Sequence, residues 1–399
     1  MASETSSARK RAMIIGCGVA GPVLAMFLQR AGIEAVVYEG RPEARDEVGA
    51  FLGIAPNGRD VLETLGIREE VEAVGIPSPR IAFLNHKARV LGRNPQPVVT
   101  LKRGMLTKAV REAAERRGIQ IEWNKRLVDL SETDRDTVIA RFADGSSAEA
   151  DFLVGCDGIH SEVRRRILPE APLPTFTGTV GTGAYTRVPG LASTEGTMYM
   201  TFCLNGFFGY QVTDSGEVCW FENFHQKTEP SAAELAGISD ESWQRRLLEL
   251  HRRDHDPIPA IIAAKQETMV RYTVSEMPVL PTWHRGRVCL LGDSAHAMGP
   301  HSGQGGSMAL EDCIVLAKCL RDIPDLSRAF ATYQSIRKER VEHVVKETRR
   351  NGDRKAPPGF FGRIGRDLVL PFFLKNGVDL FTEIYQHHIE WDEKVLVNS

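Results

Sequence analysis

The sequence predicts an α/β fold: a doubly wound parallel sheet interrupted by an inserted antiparallel sheet, with helices towards the C-terminal end. One observation is a strand–turn–helix–strand pattern, in which apolar residues 12–15 precede a glycine-rich turn, a helix-like stretch at 23–31 and a strand-like run at 34–39. Such a unit folds into a right-handed crossover between parallel strands. The other is a change after residue 175, where short aromatic and β-branched runs alternate with Gly, Asn and Asp turns, as in antiparallel strands.

These patterns divide the chain into four parts. Residues 1–10 are polar, and we expect them to be disordered. The first domain takes residues 11–174 and 284–350, and the inserted sheet domain takes residues 175–283 between them. Residues 351–399 form a C-terminal helical segment. Within the first domain we expect strands at 119–129, 138–142 and 152–154, and helices at 57–65, 105–117, 309–320 and 329–350.

Composition excludes several classes of protein. The 399 residues carry a net charge of −2, with 42% hydrophobic and 26% charged residues, which is ordinary for a globular enzyme. That charge provides no field to attract nucleic acid or an anionic membrane surface. No run reaches the roughly 18 apolar residues of a membrane span. Seven cysteines without a CxxC pair predict a reduced, cytoplasmic setting.

The glycine turn after the first strand predicts a nucleotide site. Gly16 permits the tight turn, Gly18 lets the backbone approach a pyrophosphate, and Gly21 lets the helix pack closely. The N-terminus of that helix offers unpaired N–H groups to phosphates. Glu39 ends the second strand about 20 residues later, where a carboxylate accepts hydrogen bonds from ribose hydroxyls. This motif by itself does not distinguish NAD from FAD.

Two later motifs make that distinction. Asp157 and Gly158 follow an apolar strand, and Gly292 and Asp293 stand at the end of another strand at residues 288–291. The loop after Asp293 carries glycine at positions 303, 305 and 306, which leaves backbone N–H groups bare at the start of the next helix. Such a loop stabilises negative charge on a flavin ring. A second complete GxGxxG is absent from the sequence, so we expect no dedicated nicotinamide domain.

In this order and spacing, the three motifs resemble those of the single-component FAD-dependent monooxygenases of the aromatic-hydroxylase type, over residues 11 to 350. The resemblance implies a Rossmann-like FAD-binding domain with the inserted sheet as substrate domain. It also matches Arg103 to the arginine that the family places beside FAD. The sequence departs from the family pattern at Gly40, Phe51 and Ser307. The cofactor-binding residues that the resemblance implies are Gly16, Gly18, Ala20, Gly21, Glu39, Arg103, Asp157, Asp293, Pro300, Gly303, Gln304, Gly305 and Gly306.

The same resemblance implies an activity. NAD(P)H, bound transiently, reduces the flavin; O₂ then adds to form a C4a-hydroperoxyflavin, which hydroxylates or epoxidises an organic substrate. The protein's tasks are to place the substrate and to keep water away. An oxidase or reductase on the same fold, without oxygen transfer, is the alternative. The sequence does not specify the oligomeric state.

The inserted domain predicts an apolar, aromatic pocket with few polar groups. Weak candidates for a base, or for a residue that assists one, are Tyr185, Arg187, Tyr210 and His225. Aromatic acids usually require an arginine at the ring site, and no arginine except Arg187 stands out in this domain. We therefore expect a larger, less charged, natural-product-like substrate of secondary metabolism.

Several other features have an unremarkable interpretation that we favour at this point. His251 and His255 are expected on a solvated helix face rather than in a metal site, and no metal is predicted. His296 and His301 flank the flavin loop, and either a structural role or an active-site contact fits them. Residues 337–350 are expected to form a solvated helix face. The apolar residues 360–373 are expected to pack over the inserted domain rather than against a membrane.

Overall fold

A computed structural model describes residues 10–46, 51–94, 97–267, 269–355, 359–375 and 382–396. The predicted disorder of residues 1–10 falls, except for Lys10, outside these ranges. The strands are β1 (Arg11–Ile15), β2 (Glu34–Tyr38), β3 (Phe51–Ile54), β4 (Ile76–Ser78), β5 (Arg80–Asn85), β6 (Val90–Asn94), β7 (Val98–Lys102), β8 (Gln120–Glu122), β9 (Leu127–Glu132), β10 (Val138–Phe142), β11 (Ser147–Ala150), β12 (Phe152–Gly155), β13 (Thr175–Arg187), β14 (Thr197–Phe202), β15 (Gly206–Val212), β16 (Glu217–His225), β17 (Val270–Glu276), β18 (His284–Arg285) and β19 (Val288–Leu290).

The helices follow the same chain order. They are α1 (Ala20–Arg30), α2 (Pro56–Thr64), α3 (Arg68–Ala73), α4 (Arg103–Arg116), α5 (Glu162–Ile167), α6 (Ala232–Gly237), α7 (Asp240–His251), α8 (Ile258–Ala263), α9 (Asp293–His296), α10 (Gly305–Asp322), α11 (Leu326–Lys355), α12 (Phe360–Lys375) and α13 (Thr382–Tyr385). A 3-10 turn, Pro300–Ser302, lies between α9 and α10.

The first domain is built on a sheet with the order β18-β19-β12-β1-β2-β8 in the described part of the chain. The strands β19, β12, β1, β2 and β8 pair in parallel, and only the edge strand β18 pairs antiparallel. The chain winds outwards from β1 in both directions, which confirms the doubly wound sheet. In such sheets the ligand crevice lies where the carboxyl ends of the central strands diverge.

The predicted strand at residues 119–129 is two strands in different sheets. Residues in β8 pair with β2, whereas β9 pairs with β10 in a separate sheet. Asn124 between them has a φ of 60°, a left-handed conformation that breaks the run. A single apolar periodicity cannot show this break, because both halves are extended.

The second sheet has the order β17-β13-β16-β15-β14-β5-β6. Its pairs are antiparallel except for β14 with β5, which is parallel. The strands β5 and β6 come from residues 80–94, which the sequence pattern placed in the first domain. The sheet is therefore mixed. Its strand β14 pairs antiparallel with β15 on one side and parallel with β5 on the other. The division into domains at residues 175 and 283 stays a prediction.

His251 is not on a solvated face, contrary to the sequence expectation. It is fully buried at the end of α7, with its Nδ1 3.0 Å from Asp254 Oδ2 and its Nε2 3.3 Å from Glu222 Oε2. Burial by itself would lower the pKa of His251, but the two carboxylates outweigh it and raise that pKa to about 12. Cys203 joins His251 and Asp254, with ligand-type atoms within 4.8 Å of one another. We interpret this cluster as a buried ion pair, in which a protonated imidazole hydrogen-bonds to Asp254 and lies within ion-pair distance of Glu222.

The expectation for residues 337–350 is also wrong at one position. Arg337 is 1% exposed, and its guanidinium pairs with Glu311 and Asp312 on α10. Most of the remaining charged residues on α11 are exposed, as expected. The sequence does not distinguish the buried Arg337 from the exposed charged residues of α11, because a single arginine on the inward face looks the same in a charge-rich stretch.

The helix α12 packs over the second sheet, as predicted for the apolar C-terminal residues. Asp367 accepts a hydrogen bond from Asn85 Nδ2 at 2.6 Å, and the Arg366 guanidinium lies 4.6 Å from the centre of the Phe202 ring. Its other face leaves Phe361 and Leu368 mostly exposed. Among the described helices, none combines the length and the apolar character needed to cross a bilayer.

Candidate active site

The three motifs meet at one edge of the first sheet. The turn after β1 carries Gly16 and Gly18, the turn after β12 carries Asp157, and Asp293 follows β19. Since β1, β12 and β19 are parallel neighbours, their carboxyl ends lie side by side. Segments separated by more than 100 residues in sequence thus form one crevice at the switch point of the sheet.

A cavity of about 1450 Å³ extends from this crevice to the second sheet. Ligand pockets commonly measure about 300–1,000 Å³, so this cavity has room for a dinucleotide and a further molecule. Eight of the predicted cofactor residues line it: Gly18, Ala20, Arg103, Asp293, Pro300, Gly303, Gly305 and Gly306. The other five predicted residues do not line the cavity and instead shape or hold the backbone around it. They are Gly16, Gly21, Glu39, Asp157 and Gln304.

The glycine turn leaves no space for side chains at two of its three glycines. A Cβ at Gly21 would lie 2.0 Å from the Gly16 carbonyl oxygen, and one at Gly16 would lie 2.5 Å from the Cys156 carbonyl oxygen. Gly16 also has a φ of 110°, which other residues rarely adopt. A Cβ at Gly18 would meet nothing within 4 Å and would project into open space beside the cavity. The turn therefore fits the close approach of a pyrophosphate at Gly18.

Glu39 and Asp157 hold the edges of this crevice together. The Glu39 carboxylate accepts hydrogen bonds from the backbone N–H of Cys17 at 2.8 Å and of Arg41 at 3.0 Å. Asp157 Oδ2 accepts from the N–H groups of Glu162 and Val163 at the start of α5. Asp157 Oδ1 is buried without a hydrogen-bond partner among the described residues. Asp157 therefore acts on the start of α5 behind the cavity wall rather than on the cavity itself.

The flavin loop, which we define as residues 299–306, places backbone N–H groups on the cavity. Gly303 has a φ of 62° and ends the 3-10 turn, and α10 starts at Gly305 without a side-chain cap. The first N–H groups of α10 therefore lack intrahelical partners and lie beside the cavity. Gln304 turns inwards instead, and its Oε1 accepts a hydrogen bond from Asn57 Nδ2 at 2.9 Å.

A buried network of charges supports the flavin loop from below. Arg337 donates to Glu311 at 2.5 Å and to Asp312 at 2.7 Å, and all three side chains are almost fully buried. Burial by itself would raise the pKa of Asp312, but His296 and Arg337 outweigh it and hold the pKa at about 2. Asp312 Oδ2 also accepts from the backbone N–H of Gly292 at 3.1 Å. The network thus joins α10, α11 and the turn before Asp293.

His296, before the flavin loop, and His301, within it, have different roles. His296 Nε2 lies 2.7 Å from Asp312 Oδ2, so the side chain belongs to the buried network. His301 lines the cavity, and burial together with the nearby Lys355 lowers its pKa to about 3. The His301 imidazole is therefore neutral at physiological pH. The sequence left open a structural role or an active-site contact for each histidine. In the structure His296 has the structural role, and His301 contacts the cavity.

None of the four candidates for a base is among the described residues that line the cavity. Tyr185 is buried beneath Lys102, whose Nζ lies 4.1 Å from the ring centre, and Tyr210 stacks on Tyr199 at 5.5 Å. Burial raises the pKa of both Tyr185 and Tyr210, so each stays protonated. Arg187 and His225 are exposed at strand ends. Their assignment as a base stays a prediction without geometric support.

Sequence reasoning missed several polar residues that line the cavity. These are Asn223, Arg271, Tyr272, Asn351, Lys355 and Arg366. Alternation along β16 and β17 could have indicated Asn223 and Tyr272, which lie opposite the same residue of β13, whereas Arg271 is adjacent to Tyr272 and its side chain lies on the other face of the sheet. The Arg271 guanidinium pairs with Asp240 and lies over the Trp243 ring, so Arg271 is not aimed at the ring site. No sequence signal indicates Lys355, since it lies at the end of a charged helix.

Comparison with known proteins agrees with this site. Residues 9–348 match the family model described as "FAD binding domain", so the chain belongs to that family. It is 30% identical to an aurachin C monooxygenase/isomerase of Stigmatella aurantiaca over 85% of this chain and 88% of the relative. It is also 30% identical to an FAD-dependent urate hydroxylase of Klebsiella pneumoniae, over 86% and 90% respectively. A 6-hydroxynicotinate 3-monooxygenase of Bordetella bronchiseptica is 28% identical over 86% and 91%.

Solved structures share the fold. Klebsiella pneumoniae HpxO, crystallised with FAD and uric acid, superimposes with a TM-score of 0.81 over 91% of this chain and 93% of that chain, at 24% identity. The protein CtdE, crystallised with FAD and a substrate, superimposes with a TM-score of 0.76 over 95% and 100%, at 22% identity. The protein is accordingly an FAD-dependent monooxygenase that uses NAD(P)H as reductant, and the alternative of an oxidase or reductase is not favoured.

Proposed function

We propose that this monooxygenase hydroxylates or epoxidises a ring-containing organic molecule, aromatic or natural-product-like, in the space between the flavin loop and the second sheet. The observation that carries the proposal is the continuity of the cavity: it runs from the glycine turn past Asp293 and the flavin loop to the second sheet without interruption. A dinucleotide along the first sheet leaves the remainder of the cavity for a substrate.

Apolar side chains form the roof of that remaining space. The lining residues from the second sheet include Met198, Met200, Phe202 and Phe221, and Leu370 of α12 adds to them. Thioether and aromatic groups adapt to planar rings of different sizes. They also exclude water, which protects a reactive oxygen species from collapse. This roof favours a planar, largely apolar substrate.

The residues around the flavin loop divide the remaining tasks. When bound, FAD reduced by NAD(P)H would activate O₂, from which one oxygen atom enters the substrate and the other leaves as water. Arg103 and Asp293 would hold the cofactor from two sides, and the bare N–H groups at Gly305 and Gly306 would stabilise negative charge on the ring. The buried network beneath the loop keeps these N–H groups in position. Asn223 and Tyr272 offer hydrogen bonds to polar groups of a substrate in the roof.

The names of the relatives support a ring substrate. They act, by name, on aurachin C, urate and 6-hydroxynicotinate. At about 30% identity, a shared fold and cofactor carry over more safely than a shared substrate. We therefore propose the class of substrate, planar ring compounds, rather than any of these molecules.

Labelled oxygen tests the proposal. The purified holoenzyme is given NADPH or NADH, ¹⁸O₂ and a panel of planar ring compounds, and each product is analysed by mass spectrometry. We expect one labelled oxygen atom per molecule of product, together with substrate-stimulated NAD(P)H consumption. Stimulated consumption that yields only hydrogen peroxide across the panel, with no labelled product, would contradict oxygen transfer.

A further inference from the structure

Lys355 places an ammonium group on the substrate side of the cavity. It is the last residue of α11, and it lines the cavity together with His301 of the flavin loop. Its Nζ donates a hydrogen bond to the His301 carbonyl oxygen at 2.8 Å and lies 4.3 Å from the centre of the Phe207 ring. These two contacts aim the side chain at the space between the loop and the roof.

This ammonium lacks a carboxylate partner among the described residues, unlike two neighbouring cations of the cavity. Arg271 is paired with Asp240, and Arg366 is paired with Asp367 at 2.8 Å. For Lys355 the only polar contacts found in the described part of the chain are the His301 carbonyl and the Phe207 ring. Burial is the cause that lowers the pKa of Lys355 to about 7, and no described carboxylate offsets it.

A half-buried cation without a counter-ion is stabilised by an anionic ligand. Carboxylates usually play this role, but Asp353, a carboxylate-bearing residue of the cavity wall on the same helix, is exposed and forms no ion pair with Lys355. A substrate that carries an ionised ring oxygen would pair with the ammonium group where the cavity is otherwise apolar. A ring made electron-rich in this way is also a better acceptor of electrophilic oxygen.

We propose that Lys355 selects substrates that carry an acidic ring hydroxyl or enol, and that it binds them as the oxyanion beside the flavin loop. When the lysine is neutral, the O–H bond of the substrate breaks, the proton forms a new N–H bond at Nζ, and the electron pair stays on the oxygen. Ammonium and oxyanion then form an ion pair. No oxidant or reductant takes part in this step. The inference rests on the proposed function and defines the substrate class more narrowly.

Three other titratable groups of the cavity wall do not change protonation state near neutral pH. The charged and titratable residues on its wall are Arg103, Cys156, Arg271, Tyr272, Asp293, His301, Asp353, Arg366 and Tyr385. Burial raises the pKa of Tyr272 to about 12 and that of Cys156 well above its usual value, and the pKa of His301 is lowered to about 3. These three groups keep one protonation state while Lys355 titrates.

A chromophoric phenol tests the inference without turnover. 4-Nitrophenol is bound to the holoenzyme at about pH 6, where the free compound is largely protonated, and its ionisation is recorded by difference absorbance. We expect the wild type to bind it as nitrophenolate and K355M to bind it as the phenol, with about tenfold weaker affinity. The variant K346M, on an exposed lysine of the same helix, should behave as the wild type. Nitrobenzene, which has the same shape but no hydroxyl, should bind wild type and K355M equally.

The variant K355R keeps the test decisive if K355M loses FAD. Because arginine stays charged, K355R should bind nitrophenolate at about pH 6 and keep that affinity at about pH 9, where the wild type loses affinity as free Lys355 becomes neutral. The inference is overturned if the wild type binds the neutral phenol, if it binds no 4-nitrophenol, or if K355M behaves as K346M. These outcomes concern binding alone, so they are separate from a failure of oxygen transfer in the ¹⁸O₂ experiment.

Discussion

Arg337 is the central cation of the buried charge network beneath the flavin loop. It pairs with both Glu311 and Asp312, whose carboxylates are fully buried. Arg340 adds a second cation to Glu311 from the more exposed side. A buried pair contributes little net stability compared with apolar packing, but removing one partner leaves a charge without compensation. The loss of any one charged residue of the network should therefore lower the stability of the protein strongly, although the intact network contributes little net stability.

The substitution Arg337→Met should lower the free energy of unfolding by about 3–5 kcal/mol. It should also increase FAD release, since Asp312 holds both His296 and the turn before Asp293. Urea denaturation and flavin fluorescence measure the two effects. The matched control is Arg350→Met on the same helix, where a half-exposed arginine pairs with Glu347, and a loss below about 1 kcal/mol is expected. Equal losses for the two variants would contradict the role of the network.

The lowered pKa of Asp312 predicts a loss of stability in acid. The folded-state pKa of about 2 lies below the unfolded value of 3.8, so the stabilisation is fully present above the unfolded pKa. It is lost as the pH falls from about 5 towards 2, and amounts to roughly 2 kcal/mol. The unfolding free energy of D312N should fall less steeply than that of the wild type in this window. Parallel pH profiles of the two proteins would refute the assignment.

At the scale of the element, the turn between β1 and α1 separates two functions of glycine. Gly21 is needed for packing, because a Cβ there would collide with the Gly16 carbonyl oxygen at 2.0 Å. Gly18 is needed for the ligand, because a Cβ there meets only the space beside the cavity. The same motif thus contains one structural and one binding requirement.

Two alanine substitutions distinguish these requirements. G21A should lower the thermal stability of the FAD-free protein, since α1 has to move away from the turn. G18A should leave the stability of the FAD-free protein unchanged and weaken FAD binding at least about tenfold, a loss of roughly 1.4 kcal/mol. Calorimetry of the apoprotein and fluorescence titration with FAD provide the measurements. A destabilised G18A apoprotein would contradict the assignment of Gly18 to ligand binding.

The molecule as a whole is held together by contacts between distant parts of the chain. Trp391 is 5% exposed and packs against Phe27 of α1, with Arg30 and Arg321 on its ring. Arg321 also donates to the Trp391 carbonyl oxygen at 2.6 Å. The C-terminal residues thereby close over the first domain, far from the second sheet.

Trp391→Ala should cost about 3–5 kcal/mol of unfolding free energy, the usual range for a buried tryptophan. The site lies outside the cavity wall, so substrate-independent reduction of the remaining folded enzyme by NAD(P)H should be unchanged. Chemical denaturation and stopped-flow reduction measure these effects. Leu396→Ala is the control, because Leu396 is 86% exposed and its loss should leave stability unchanged. A neutral Trp391→Ala variant would show that the C-terminal contact is not formed in solution.

Much of the first domain was predictable because its signals are local. The run at residues 12–15, the glycine turn and the strand at 34–39 each occur where predicted, since a turn with Gly16 at a φ of 110° admits almost no other residue. The motif residues Asp293 and Gly305 line the cavity, and their role in binding the cofactor stays a prediction. Periodicity failed at residues 119–129, where the break at Asn124 leaves no mark on the apolar pattern.

The sequence by itself determined the cofactor and the class of chemistry, because glycine turns and strand-end carboxylates depend on backbone conformations that few residues adopt. Only the tertiary structure decided which side chains face the cavity. Lys355 comes from the end of α11, Asn223 from β16 and Phe83 from β5, and these segments meet only after two sheets and the C-terminal helices pack together. Burial and the absence or presence of a nearby counter-ion, which set the roles of Arg337, His251 and Lys355, follow from that packing and from no local pattern.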